Sequence, residues 1–269
     1  MKAAIGRLLR RLGLLKPAAA VLRALALGRE SLRRRVGRDQ TAGDGLPLPP
    51  PRLMYDVGGN PGAAWFLEGG AAAKDSILEA LAQAGAPIES MGRILDFGCG
   101  CGRVVRHWSD LEGVEVYGSD LDPEFVAWCQ ENLPFGSFST NGLAPPLPYE
   151  DGAFGFVYAL SVFTHLTEPL QDDWIEELAR VLEPGGHLLV TTQGEGFLPR
   201  LTADEREAFQ SGRLIVRDAG EAGTNVCSVY HPRSYLERQF GKLFAPVVFE
   251  PEGARGNPPQ DQHVLRKKS

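Results

Sequence analysis

Long apolar runs are missing from this chain. No stretch reaches the roughly 18 residues that a bilayer-spanning helix needs, and Arg23 interrupts the nearest approach, so neither a transmembrane helix nor a clean signal-peptide core is expected. Cysteine is scarce: Cys99, Cys101, Cys129 and Cys227 are the four in 269 residues. They make neither a dense framework nor paired C-x-x-C elements, which excludes a disulfide scaffold and a structural zinc site and points to a cytoplasmic location. Positive charge is short in most of the chain. Of the 28 Lys and Arg, 11 lie in the first forty residues, alongside only 2 of the 34 acids. The arm is therefore basic and the body strongly acidic. Nucleic acid is excluded as the main partner, because backbone binding needs clustered Lys and Arg; a small-molecule acceptor fits better.

The organisation follows from periodicity. Ile5, Leu8, Leu9, Leu12 and Leu15 recur at helical spacing among arginines, which predicts a basic amphipathic helix ending near Pro17, with a second helical stretch running toward Arg35. Residues 41 to 52 are rich in Gly and Pro and read as a linker. The expected divisions are a basic helical arm over 1–40, a linker with a lid candidate over 41–70, and a ligand-binding domain over 71–269. A helix is expected over 71–84. From Arg93 short β-rich runs (93–98, 114–120, 154–160 and 187–192) alternate with helical patterns such as 122–132 and 171–182. That alternation predicts an α/β fold, doubly wound, with a mostly parallel sheet. After a helix at about 232–240, the runs 244–251 and 261–268 are separated only by a loop and must pair antiparallel if they are neighbours.

The chemistry begins at "RILDFGCGCGRVVRHW", residues 93–108. Gly98, Gly100 and Gly102 alternate directly after an apolar strand, where residues without a Cβ let the backbone turn tightly and approach a ligand, and a helix is expected to follow. Asp120 closes the second strand, where a carboxylate can accept hydrogen bonds from a ribose diol. Glycines followed by an acid indicate an adenosine cofactor. A dinucleotide loop, G-x-G-x-x-G, would place its third glycine where Arg103 stands, which weakens a nicotinamide-dependent oxidoreductase as the alternative.

"LDFGCGCG" (95–102) resembles motif I of the class I S-adenosylmethionine-dependent methyltransferases. The resemblance continues through 116–126, 141–166, 178–192 and 260–268. It implies a seven-stranded sheet with a C-terminal antiparallel hairpin, and S-adenosylmethionine as cofactor. By the same resemblance Gly98, Cys99 and Gly100 border the methionine and ribose portions, Gly102 belongs to the same cofactor-binding loop, and Asp96 supports the loop or the amino group. Asp120 holds the ribose hydroxyls and Leu121 lies along the adenine. Asn141 and Gly142 stand where relatives carry an Asp toward the adenine amino group. Ser161 faces the transferring methyl group. In such proteins a segment like 52–70 often closes over the cofactor, making Tyr55 and Phe66 lid candidates against ordinary packing beneath a loop.

Two histidines are candidate bases. His165 follows Ser161 by four residues and serves equally as a helix cap; His231, beside Tyr230, reads first as a cap and second as a substrate contact. No metal is expected: Cys99 and Cys101 lack further ligands, and no arrangement of acids marks a divalent site. Ala159 to Val162 is not the Asn-Pro-Pro-aromatic run of relatives that methylate DNA bases or glutamine. By these exclusions the acceptor is a sugar, a glycan-lipid or a secondary metabolite, methylated at oxygen. A non-catalytic S-adenosylmethionine-binding protein is the other alternative. The basic arm either packs over the domain or between protomers, or lies on an anionic membrane surface.

Overall fold

The computed structural model describes residues 15–36, 43–256 and 258–269. The helix expected over 5–15 lies outside them but for Leu15. Contacts divide the chain into two units, 1–67 and 68–269.

In the first unit, α1 spans Leu15–Val36 and α2 spans Pro51–Gly58. Pro17, expected near a helix end, instead lies in the first described turn of α1; at a helix start a missing N–H costs nothing. Arg23 of α1 joins Asp56 of α2 through hydrogen bonds of 2.6 and 2.8 Å. Its guanidinium lies over the Tyr55 ring. Residues 52–70, expected to be irregular, are largely helical: Gly59, with φ of 73°, closes α2, and α3 (Ala63–Gln83) starts just beyond it and takes Gly69 and Gly70 into its interior, where a Cβ on Gly70 would fall 1.9 Å from the Arg103 carbonyl oxygen. Tyr55 therefore sits in α2, and Phe66 in α3 is fully buried.

The second unit holds a seven-stranded sheet of order β3-β2-β1-β4-β5-β9-β8. Its strands are β1 (Arg93–Phe97), β2 (Glu115–Asp120), β3 (Gly136–Thr140), β4 (Phe154–Ala159), β5 (Leu182–Thr192), β8 (Phe244–Glu250) and β9 (Asp261–Lys267). Pairing is parallel from β3 to β5, whereas β9 runs antiparallel to both β5 and β8. This is the expected doubly wound sheet with its terminal hairpin. All six residues of β4 are buried, as a central strand covered on both faces requires. The helices α4 (Pro123–Asn132), α5 (Glu168–Val181) and α7 (Arg233–Phe240) connect the strands. Asp122 caps α4 by accepting from the Glu124 N–H at 2.9 Å, with Pro123 at the first position. Leu178, Trp174, Tyr235 and Phe240 seal one face of the sheet.

Three features depart from expectation. The helix expected after the glycine loop is only a 3-10 turn, Val105–Trp108, entered through two β-branched residues, Val104 and Val105. β5 begins earlier than the apolar run, because Pro184, Gly185 and Gly186 are absorbed in a register shift against β4. Between β5 and α7 the chain inserts α6 (Ala203–Gln210) and a two-stranded sheet of β6 (Ile215–Arg217) and β7 (Ser228–Tyr230). Among the described residues no helix is long and apolar enough to cross a membrane.

Candidate active site

The register of β1 on β2 pairs Phe97 with Ser119 and so carries the glycine loop past the end of β2. The N–H groups of Gly98 and Cys99 both donate to the Ser119 carbonyl, at 2.8 and 3.1 Å. Gly98 has φ of 87°, and a Cβ there would fall 2.4 Å from Val162 Cγ2, so no other residue fits the turn. Gly100 and Gly102 also have positive φ, 55° and 85°. The loop then folds onto Asp120. The Gly100 N–H donates to Asp120 Oδ2 at 2.7 Å, and the Asp122 N–H to Oδ1 at 2.9 Å. Burial raises the Asp120 pKa, and these backbone donors oppose the rise. A carboxylate offers about four acceptor sites, so each oxygen keeps capacity for a hydroxyl. Beside it lie the exposed side chains of Leu121 and Leu143. Gly223 covers both: a Cβ on it would stand 2.9 Å from Leu121 Cδ2 and 2.7 Å from Leu143 Cδ1.

Asp96 is placed beneath the loop. It is buried with Tyr158, whose hydroxyl accepts from Trp108 Nε1 at 2.9 Å. Burial lifts its pKa to about 7, against the opposing Tyr158 hydrogen bond and Arg103 charge. The thiols of Cys99 and Cys129 both point at the Gly100 carbonyl, at 3.5 Å. Asn141 is engaged internally: Oδ1 accepts from Ser119 Oγ at 2.6 Å, Nδ2 donates to the Gly142 carbonyl at 2.8 Å, and its backbone N–H binds the Asp120 carbonyl. One amide hydrogen and one lone pair remain for a ligand.

Ser161, at the carboxyl end of β4, has φ of 61°, an uncommon conformation for a residue with a side chain. A closed set of hydrogen bonds holds it there. Its N–H donates to Thr191 Oγ1 at 2.8 Å; Thr191 donates to Gln260 Oε1 at 2.7 Å; Gln260 Nε2 donates to Ser161 Oγ at 2.9 Å. Thr164 donates to the Ser161 carbonyl at 2.7 Å, so its oxygen is left to accept from Ser161 Oγ at 2.9 Å. The Ser161 hydroxyl proton is thereby committed. Gln260 and Thr191, buried at the ends of β9 and β5, are members of the site that sequence reading missed.

His165 lies in the 3-10 turn Phe163–His165 that follows Ser161. Its Nδ1 is 2.7 Å from the Cys227 carbonyl, and its own carbonyl accepts from the Gly223 N–H at 2.8 Å. A carbonyl can only accept, so Nδ1 carries the proton and Nε2 presents a lone pair. Burial lowers the pKa of His165, and the neutral ring is favoured at pH 7. His231 is placed differently. It is 1% exposed, its Nε2 meets Gln171 Oε1 at 3.2 Å, and burial drives its pKa down to about 3. With its ring sealed in the packing it lacks the access a base needs, and capping, the first of its two expected roles, gives way to core packing.

Glycine loop, ribose-ready carboxylate and apolar rim meet at the carboxyl ends of β1, β2 and β4, and this donor set fits an adenosine cofactor. The fold and site thus define a Rossmann-like nucleoside-binding domain. Residues 95–190 match the family model of the methyltransferase domain. The chain is 30% identical over 136 residues to malonyl-[acyl-carrier protein] O-methyltransferase of Enterobacter lignolyticus, covering 49% of this chain and 53% of that protein. It is 31% identical over 140 residues to norajmaline N-methyltransferase of Rauvolfia serpentina, covering 49% and 47%. The chain thus spans about half the length of these curated relatives. An S-adenosylmethionine-dependent methyltransferase from Mesorhizobium loti superposes with a TM-score of 0.55 at 17% identity, covering 72% of this chain and all of that one. A glycopeptide N-methyltransferase solved with S-adenosyl-L-methionine gives 0.51 at 18% identity, covering 72% and 93%. Residues 95–190 are thus similar to the methyltransferase-domain family, and the chain shares the Rossmann-like fold of the S-adenosylmethionine-dependent methyltransferases that superpose on it.

Proposed function

We propose that this protein transfers a methyl group from S-adenosylmethionine to an oxygen of a small-molecule acceptor, a sugar, a glycan-lipid or a secondary metabolite, with His165 as the base. When bound, the cofactor supplies a methyl carbon activated by its sulfonium. The chain's own residues do the rest. Gly98 to Gly102 bring backbone close to the ligand, Asp120 accepts from the ribose hydroxyls, and Leu121 and Leu143 flank the adenine. Ser161, its hydroxyl committed, orients the turn that carries His165. An acceptor hydroxyl must lose its proton as it attacks, and Nε2 of His165 is the group free to take it. The relatives' names span oxygen and nitrogen acceptors; the assignment to oxygen rests on the Nδ1–H to Cys227 carbonyl bond, which leaves Nε2 basic. The acidic body favours a small acceptor over nucleic acid. The basic N-terminal helix provides a second contact, with a membrane or another copy of the chain.

Calorimetric titration with S-adenosylmethionine, S-adenosylhomocysteine and NADH, with Asp120→Ala as control, tests the cofactor. Binding of the sulfur nucleosides that weakens at least about tenfold in the variant is expected, given the roughly 1.5–3 kcal/mol of a charged hydrogen bond. Binding of NADH alone would overturn the reading. Transfer of labelled methyl across a panel of hydroxylated acceptors then tests the chemistry. His165→Gln should leave cofactor binding intact and lower turnover about 100-fold or more. A family of acceptors on which the variant retains full turnover would remove His165 from the reaction, and cofactor binding without transfer to any of them would favour a non-catalytic role.

A further inference from the structure

Helix α1 carries apolar side chains on two opposite faces, and one of these faces is open. The face that bears Arg23, the partner of Asp56 in α2, also carries Ala26, Leu27 and Glu30, and all four are partly buried. The opposite face carries Val21, Leu25 and Leu32, which are 60%, 56% and 65% exposed. At 3.6 residues per turn these three fall within about 40° of arc, a single stripe rather than scattered surface residues. Gly28 lies on the same stripe, and a Cβ on it would meet nothing within 4 Å. The stripe is continuous and open.

We propose that this face docks the protein on an anionic membrane surface, with Val21, Leu25 and Leu32 entering the headgroup boundary. The charge selects the occupant. Residues 15–36 contain Lys16, Arg23, Arg29, Arg33, Arg34 and Arg35 against Glu30 alone. A basic helix with an apolar stripe is held to anionic lipid by both terms at once. A second copy offering the same helix would set these basic residues against their equivalents. The residues after 40, with 17 Lys and Arg against 32 acids, are repelled by such a surface, which confines attachment to the basic arm over 1–40. Docking of this kind would hold the domain where amphipathic acceptors partition, but it does not depend on the methyl-transfer reading.

The test is flotation of the full chain with vesicles of phosphatidylcholine alone and of equal phosphatidylcholine and phosphatidylglycerol. Binding to the anionic vesicles is expected, weakened by added salt over the range that screens surface charge. The double variant Leu25→Glu, Leu32→Glu alters only exposed positions, so its thermal midpoint should match the parent's while vesicle affinity falls at least about tenfold. Failure of the parent to bind anionic vesicles would overturn the proposal, as would equal binding by the variant. A parent dimer in light scattering that the variant splits, with no vesicle binding, would assign the stripe to contact between copies.

Discussion

Two buried histidines make this fold sensitive to acid. His231 is 1% exposed and His263 is 7% exposed, and burial lowers their pKa values to about 3 and about 4. In the unfolded chain both titrate near about 6.5. As pH falls below that value the unfolded chain takes up two protons that the folded chain refuses, so the equilibrium shifts toward unfolding. Each unit of pH then costs about 1.4 kcal/mol per group. Down to pH 5 the two together amount to about 4 kcal/mol, or roughly 8–16 °C in midpoint for a chain of this size. Asp96 acts in the opposite sense. Its folded pKa of about 7 lies above the unfolded value, so the folded state takes up its proton first and gains stability as pH falls through 7. The comparison must therefore be between variants that share Asp96. Urea unfolding of the parent and of a His231→Gln, His263→Gln double variant at pH 7.5 and 5 isolates the histidines. The parent should lose about 4 kcal/mol more than the variant over that interval. Equal losses would refute the argument, whatever the variant's stability at pH 7.5.

Gly98→Ala should destabilise the chain by about 1–2 kcal/mol through its positive φ alone and push the loop off Val162. Cofactor titration should then show weaker binding, and unchanged affinity would mean the loop does not approach the ligand. Gln260→Leu removes both the acceptor for Thr191 and the donor to Ser161. It should cost about 1–3 kcal/mol in urea unfolding and weaken cofactor binding as Ser161 relaxes; wild-type values in both measurements would show that the ring does not position Ser161.

The sheet is legible because its signals are local. The runs at Arg93, Glu115, Phe154 and His187 are short, apolar and bounded by turns, and the loop between the last two runs of the chain is too short for anything but an antiparallel pair. What misleads is also local but ambiguous. Gly59 and Pro17 read as breakers, yet they occupy helix ends where such residues cost little, and Gly69 and Gly70 stand inside α3, where the Arg103 backbone leaves no space for a Cβ on Gly70. Residues after the glycine loop read as a helix, but they form one 3-10 turn, Val105–Trp108.

The site divides along the same line. Gly98, Gly100, Gly102 and Asp120 can be found because adjacent parallel strands convert a sequence separation of about twenty residues into a contact, as the Gly100 to Asp120 bond shows. Gln260 is 99 residues from Ser161, and Cys227 is 62 from His165. No spacing rule connects those pairs; they meet because β9 inserts beside β5 and because the β6–β7 excursion returns over the turn after β4. The pattern can therefore name His165 but cannot tell a base from a cap. What separates it from His231 is burial: each ring sets one nitrogen on an oxygen acceptor, His165 Nδ1 on the Cys227 carbonyl and His231 Nε2 on Gln171 Oε1, but His165 is partly exposed whereas His231 is 1% exposed and sealed in the packing.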